Sequence, residues 1–175
     1  MERAAAAGRP RNVLFLCTGN SARSILAESL LNHWGREKFR AFSGGSQPRG
    51  TVHPIALELL TQLDLPTEGL RSKNWHEFAG PDAPRIDFII TVCDAAAGET
   101  CPVWPGHPVT AHWGLPDPAV VTGPDTEKWL AFRNTLRALE SRIKLFVNLP
   151  LVSLDRLALR LEIEGVAETR GSTSQ

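Results

Sequence analysis

The chain has 175 residues, enough for one domain with a substantial core, and its 42% hydrophobic and 22% charged content is ordinary for a globular protein. Nineteen basic and nineteen acidic residues cancel, which argues against a nucleic-acid or other polyanion surface, and no apolar run approaches the ~20 residues of a membrane span. Met1–Arg11, with four alanines and four charged residues but no apolar h-region, is expected to be a loose arm and not a signal peptide; that makes the protein cytoplasmic, where its cysteines are expected to be reduced, catalytic or redox-active.

Val13–Cys17 reads as a buried strand, and Ile25–Trp34 as a helix with Ile25, Leu26, Ser29, Leu30 and Trp34 on its apolar face and Gly35 as its C-terminal cap. Phe39–Ser43 is a second strand, followed by a Gly-rich loop from Gly44 to Gly50 expected at a pocket rim. His53-Pro54 opens a second helix, because proline suits the first turn, with Ile55, Leu59, Leu60 and Leu63 inward. Arg71–Phe78 is a connection containing a short helix anchored by Trp75 and Phe78. Asp87–Cys93 is a buried strand and Val109–Trp113 a short fourth one. Pro and Gly are dense between 98 and 124, which marks a functional loop region. Thr126–Leu149 is a long amphipathic helix with Trp129, Phe132, Leu136, Leu139, Ile143, Phe146 and Val147 inward. The tail has an apolar stripe at Leu151, Leu154, Leu157, Ala158 and Leu161, expected to dock on the core as a short helix, with disorder after Gly165. Strands alternating with helices predict an α/β fold with a four-stranded parallel sheet flanked by helices in three layers. The expected plan is an arm at 1–11, an α/β domain at 12–149 and a C-terminal extension at 150–175.

The chemistry starts at the first strand end, with the string Cys17-Thr18-Gly19-Asn20-Ser21-Ala22-Arg23-Ser24. The first N–H groups of a helix have no intrahelical partner and, with the helix dipole, form an anion site. Thr18, Gly19, Asn20, Ser21 and Ala22 are small or polar, so the loop can curl and aim its amides at one point. Gly19 and Asn20 tolerate left-handed backbone. Arg23 offers a planar fork to two oxygens of a tetrahedral oxyanion. The same field is expected to make Cys17 a thiolate at neutral pH, with Ser24 donating a hydrogen bond to it.

Cys93 ends a central strand as Cys17 does. If the two strands are neighbours, about 4.8 Å apart, the sulfurs can meet, and Cys101 on a small, polar loop could take up the disulfide by exchange. Asp117, on a Pro-flanked loop, suits a general acid for a leaving oxygen. The five histidines lack metal-ligand spacing, so no metal is expected, and no phosphate-binding glycine motif for nucleotides occurs.

Together these residues resemble the low-molecular-weight protein tyrosine phosphatases and, within them, the arsenate reductases. The Cys17–Ser24 string carries the first likeness. Thr91-Val92-Cys93, Cys101-Pro102, His112-Trp113-Gly114 and Asp117-Pro118 carry the second. The distal cysteines stand seven residues apart, one more than in thioredoxin-coupled members, and Ala22 sits where some relatives have a further cysteine. The resemblance implies reduction of arsenate to arsenite, with phosphate and sulfate as competing anions and no bound cofactor. It implies attack by Cys17, resolution by Cys93, and relay to Cys101 with thioredoxin as the external dithiol. A glutathione/glutaredoxin coupling, a phosphatase acting on phosphate monoesters, and a non-catalytic anion-binding module are the competing readings.

Overall fold

A computed structural model describes residues 9–99, 102, 104–151 and 155–169. Four strands, β1 (Arg11–Leu16), β2 (Phe39–Gly44), β3 (Phe88–Thr91) and β4 (Val109–His112), form one wholly parallel sheet in the order β2-β1-β3-β4. Five α-helices accompany them: α1 (Arg23–Trp34), α2 (Pro54–Gln62), the short α3 (Asp94–Gly98), α4 (Asp125–Val147) and α5 (Arg156–Thr169), with 3-10 turns at Trp75–Phe78 and Pro118–Val120. The result is the expected three-layer α/β fold. The chain leaves β1 toward β2 on one side and returns to β3 on the other, so the strand order reverses between β1 and β3. In such sheets the ligand crevice lies beyond the carboxyl ends of the strands at that reversal, which here is the position of Cys17 and Cys93.

Alternate residues of β1 feed two cores, as the two-residue period of a strand dictates. Val13 and Phe15 pack with α1, α4 and α5 on one face. Leu14 and Leu16 pack with Trp75, Phe78, Ile89 and Trp104 on the other. Strands buried on both faces read as continuous apolar runs, which is why β1 and β3 stand out in the sequence. Phe146 of α4 is the aromatic hub of the first core, with ring centroids 4.9 Å from Phe39, 5.7 Å from Phe88 and 5.9 Å from Trp113.

Four expected inward positions turn out otherwise. Trp34 is 43% exposed; its indole donates to Glu140 Oε2 at 3.3 Å and Lys144 Nζ lies 4.3 Å from its ring centre, so it clamps α1 to α4 at the surface. Leu63 is the exposed C-cap residue of α2. In the tail, Leu157 and Leu161 are 67% and 60% exposed, while Leu159, Ile163 and Val166 face the core. Leu154 lies outside the described residues. The tail helix also continues past Gly165 to Thr169, where disorder was expected. Both stripes have helical spacing; the one facing inward lies beside the Ile163 carbonyl, which accepts from Trp113 Nε1 at 2.9 Å in a buried site. An indole N–H needs a partner when buried, so this bond fixes which face of α5 docks.

Ile163→Ala is therefore expected to cost about 2–5 kcal/mol by urea denaturation, as large-to-small core changes do, whereas Leu161→Ala is expected to stay within about 0.5 kcal/mol. The opposite ranking would place the other face of α5 inward.

Candidate active site

The loop from Cys17 to Ala22 joins β1 to α1 and is bolted down through its carbonyls. Gln47 N donates to Thr18 O at 2.9 Å, Arg49 N to Gly19 O at 3.0 Å and His53 N to Ser21 O at 3.0 Å. Ser72 Oγ also donates to Gly19 O, at 3.2 Å. These bonds fix the loop from behind, and Cys17 through Arg23 line the cavity on its other side. Gly45 permits the close approach, since a Cβ there would collide with the carbonyl oxygens of Cys17 and Thr18. The left-handed loop residue is Asn20, with φ 41°, and not Gly19. Asn20 is fully buried; its Nδ2 donates to Ser24 Oγ at 2.8 Å and its Oδ1 accepts from Lys73 N at 2.9 Å. With Ser24 accepting from Asn20, its own hydroxyl proton is directed elsewhere.

Arg23 enters from the first turn of α1. Its Nη1 donates to Leu115 O at 2.7 Å, its Nη2 lies 3.5 Å from Asp117 Oδ2, and its buried Nε has no partner among the described residues. Asp117 Oδ1 accepts from Ala119 N at 2.9 Å, capping the 3-10 turn that follows. Cys17 through Arg23, Asp117 and the rim residues Gln47, Arg49, Ala95 and Ala119 enclose a cavity of about 440 Å³. An orphaned guanidinium nitrogen beside a ring of amides fits a small oxyanion.

Cys93 lies beside this loop. Parallel pairing of Leu16 with Thr91 brings the ends of β1 and β3 level. The Cys93 sulfur accepts from Thr18 N and Ala96 N, each at 3.4 Å, so it bridges the loop and the start of α3. The two thiols are neighbours whose titrations are linked: the adjacent Cys17, with the two backbone amides, lowers Cys93, whereas the adjacent Cys93, followed by burial, raises Cys17 against the pull of Arg23. Two thiols this close in a buried site favour one negative charge on the pair, which the Thr18 and Ala96 amides beside Cys93 and the Arg23 guanidinium beside Cys17 help to hold. Cys101 lies outside the described residues.

Further groups are legible only in the fold. Thr18 Oγ1 donates to Glu99 Oε1 at 2.9 Å. His112 bridges β3 to α3, with Nδ1 2.6 Å from Thr91 Oγ1 and Nε2 2.8 Å from Asp94 Oδ1. Beneath the loop a buried charge pair runs from Glu28 to Lys73, 3.6 Å apart, with Ser43 Oγ donating to Glu28 Oε1 at 2.6 Å and Lys73 Nζ donating to Ser43 Oγ and Arg71 O. Lysine in Arg71-Ser72-Lys73-Asn74 looks like an ordinary surface residue in sequence, and only the tertiary packing buries it. Arg49 carries no sequence signal beyond its place in the Gly-rich rim loop. Among the described residues no cluster of three metal-ligating side chains occurs, and no helix is long and apolar enough to cross a membrane.

Residues 12–156 match the family described as low molecular weight phosphotyrosine protein phosphatase. The chain belongs to that family, and its fold and cysteine-arginine loop are those of a protein built around a reactive thiol in an oxyanion cradle. Within the family, the chain matches arsenate reductases. One from Shouchella clausii is 33% identical over 134 residues, covering 77% of this chain and 93% of that one; one from Bacillus subtilis is 30% identical over 135 residues with the same coverage. Among solved structures, the arsenate reductase of Archaeoglobus fulgidus superposes with a TM-score of 0.61 at 28% identity, covering 78% of this chain and 99% of that one. A low molecular weight protein tyrosine phosphatase from T. tengcongensis shares the fold, with a TM-score of 0.64 at 21% identity over 79% of this chain and 99% of that one.

Removing one member of a buried ion pair strands the other. Lys73→Met is therefore expected to cost about 3–5 kcal/mol at pH 7. Burial already raises the Glu28 carboxyl, an effect that Lys73 and Ser43 oppose. Without Lys73 it rises further, so the variant's stability falls as pH rises from the ordinary carboxylate range toward neutrality, and acidification shrinks the deficit. Denaturant titrations at pH 5 and 7 check this. A deficit independent of pH, or one that Glu28→Gln fails to relieve, contradicts the pairing.

Proposed function

We propose that the protein is a cytoplasmic arsenate reductase that uses thioredoxin as its external dithiol. The observation that carries this reading is the position of Cys93, whose sulfur accepts from Thr18 N of the Cys17 loop, beside Arg23 and Asp117. Hydrolysis of a phosphate ester needs a single cysteine; a second thiol against the loop of the first suits electron transfer. The names of the relatives at 30–33% identity support the same substrate.

Arsenate, a tetrahedral oxyanion, binds the loop amides of Thr18 through Ala22 and the Arg23 guanidinium. The Cys17 thiolate attacks arsenic while Ser24 donates to its sulfur, and Asp117, in its protonated form, protonates the departing hydroxyl, which leaves as water. The Cys93 thiol gives its proton to the Asp117 carboxylate so formed, and its sulfur, held by its amide partners, attacks the Cys17 sulfur. The S–As bonding pair passes to arsenic, which falls from As(V) to As(III), and arsenite leaves behind a Cys17–Cys93 disulfide. Cys101 then attacks Cys93, freeing the Cys17 thiolate, and thioredoxin reduces the Cys93–Cys101 disulfide. No metal or bound cofactor takes part.

Arsenite formation with purified thioredoxin tests the scheme. Cys17→Ser is expected to lower turnover at least about a thousandfold, since a serine hydroxyl stays protonated. Cys101→Ser is expected to yield about one arsenite per enzyme and then stop; undiminished thioredoxin-driven turnover would overturn the three-cysteine relay. If glutathione and glutaredoxin drive the wild type and thioredoxin does not, the reductant assignment is wrong. Aryl phosphate hydrolysis that survives Cys93→Ser, with no arsenite from the wild type, would establish a phosphatase instead.

A further inference from the structure

Beyond the loop and Arg23, one more cation reaches the pocket. Arg49 stands on the β2–α2 connection, and its backbone N–H is bolted to Gly19 O at 3.0 Å. Its side chain lies back across the anion loop. A Cβ placed on Gly19 would stand 3.2 Å from Arg49 Nε, 3.4 Å from Cγ and 3.6 Å from Cδ, so the bare face of Gly19 is the seat of the arginine stem. The guanidinium lines the same cavity as Cys17, Arg23 and Asp117. Its field is felt nearby: after burial, Arg49 is the next cause holding the His53 imidazole below its ordinary value.

The charge pattern gives this placement meaning. Arg23 lies against Asp117, and Arg71 pairs with Glu77. No carboxylate within ion-pair distance of Arg49 occurs among the described residues. Arg23 is committed in part to the Leu115 carbonyl and to Asp117, which leaves Arg49 as the second cation of the cavity to meet a dianion. Among the described residues the cavity lining contains no aromatic ring. A phenyl ester needs an apolar wall to stack on; here the rim offers Gln47 and a guanidinium.

We propose that Arg49 is a second oxyanion-binding side chain, one that biases the pocket toward small inorganic dianions and against aryl phosphate esters. The assignment rests on the oxyanion pocket described above, and it deepens the proposed arsenate reaction by naming the residue that selects its substrate class.

The test uses the full chain and its Arg49→Ala and Arg49→Lys variants. Calorimetric titration with inorganic phosphate measures binding without turnover. Arg49→Ala is expected to weaken phosphate binding about tenfold, the loss of one charge-assisted hydrogen bond, and Arg49→Lys to recover most of it. The gap between wild type and Arg49→Ala should narrow in 1 M salt, because a solvent-facing charge is screened there; a purely structural role would not respond to salt. In arsenite assays the KM for arsenate is expected to rise with the phosphate dissociation constant. The rate on p-nitrophenyl phosphate, relative to arsenate, should increase. Phosphate binding unchanged in Arg49→Ala, or a loss that lysine does not restore, overturns the assignment. If no arsenite forms in any variant yet phosphate binding follows Arg49, the reductase reading fails and the anion-binding role of Arg49 stands.

Discussion

Parallel pairing of β1 with β3 is the constraint on which the site depends. The register sets Leu16 against Thr91, so Cys17, just beyond β1, and Cys93, two residues beyond β3, leave the same end of neighbouring strands. A slip of one residue would turn every β1 side chain to the other face, removing Phe15 from the Trp113–Phe146 core and Leu16 from the Trp75–Phe78 core. Two dry cores therefore enforce the register, and the register delivers the sulfurs. The reactive pair depends on packing far larger than the pair itself.

Around that pair the charges are stacked in tiers. Above the anion loop stand Arg23, Asp117 and Arg49, facing the cavity. Below it, sealed from water, lie Glu28, Ser43 and Lys73. Asn20 and Ser24 join the tiers, since Asn20 accepts from the Lys73 backbone and donates to Ser24. The loop is thus held from behind by neutral hydrogen bonds and a buried ion pair, with the cavity on its other side. A site of this kind spends little reorganisation when an anion arrives.

The sheet, its four strands and the Cys17–Ser24 string were legible because their signals are local: apolar runs buried on both faces, and contiguous residues whose chemistry depends on one turn. Asp117 was legible through its Pro-flanked loop, and it does reach Arg23. The amide cradle of the second sulfur was not, because it depends on Thr18 N and Ala96 N converging on Cys93. Arg49 and Lys73 were missed since an arginine and a lysine in polar connections look alike whether they face solvent, a pocket or a buried glutamate. The docked face of α5 was misread because both candidate stripes repeat at helical spacing, and the choice is made by a tryptophan fifty residues earlier in the chain.

That tryptophan also bears on where this molecule can be cut. The segment matched by the family ends at Arg156, the first residue of α5. Yet Leu159, Ile163 and Val166 complete the core beside β4, and the Ile163 carbonyl is the partner of a fully buried indole. A chain trimmed at the homology limit would bare Trp113 and open the outer margin of β4, a ready template for pairing with a neighbour. The matched segment and the packed core differ by one helix, and that helix is what covers the edge of the sheet at β4.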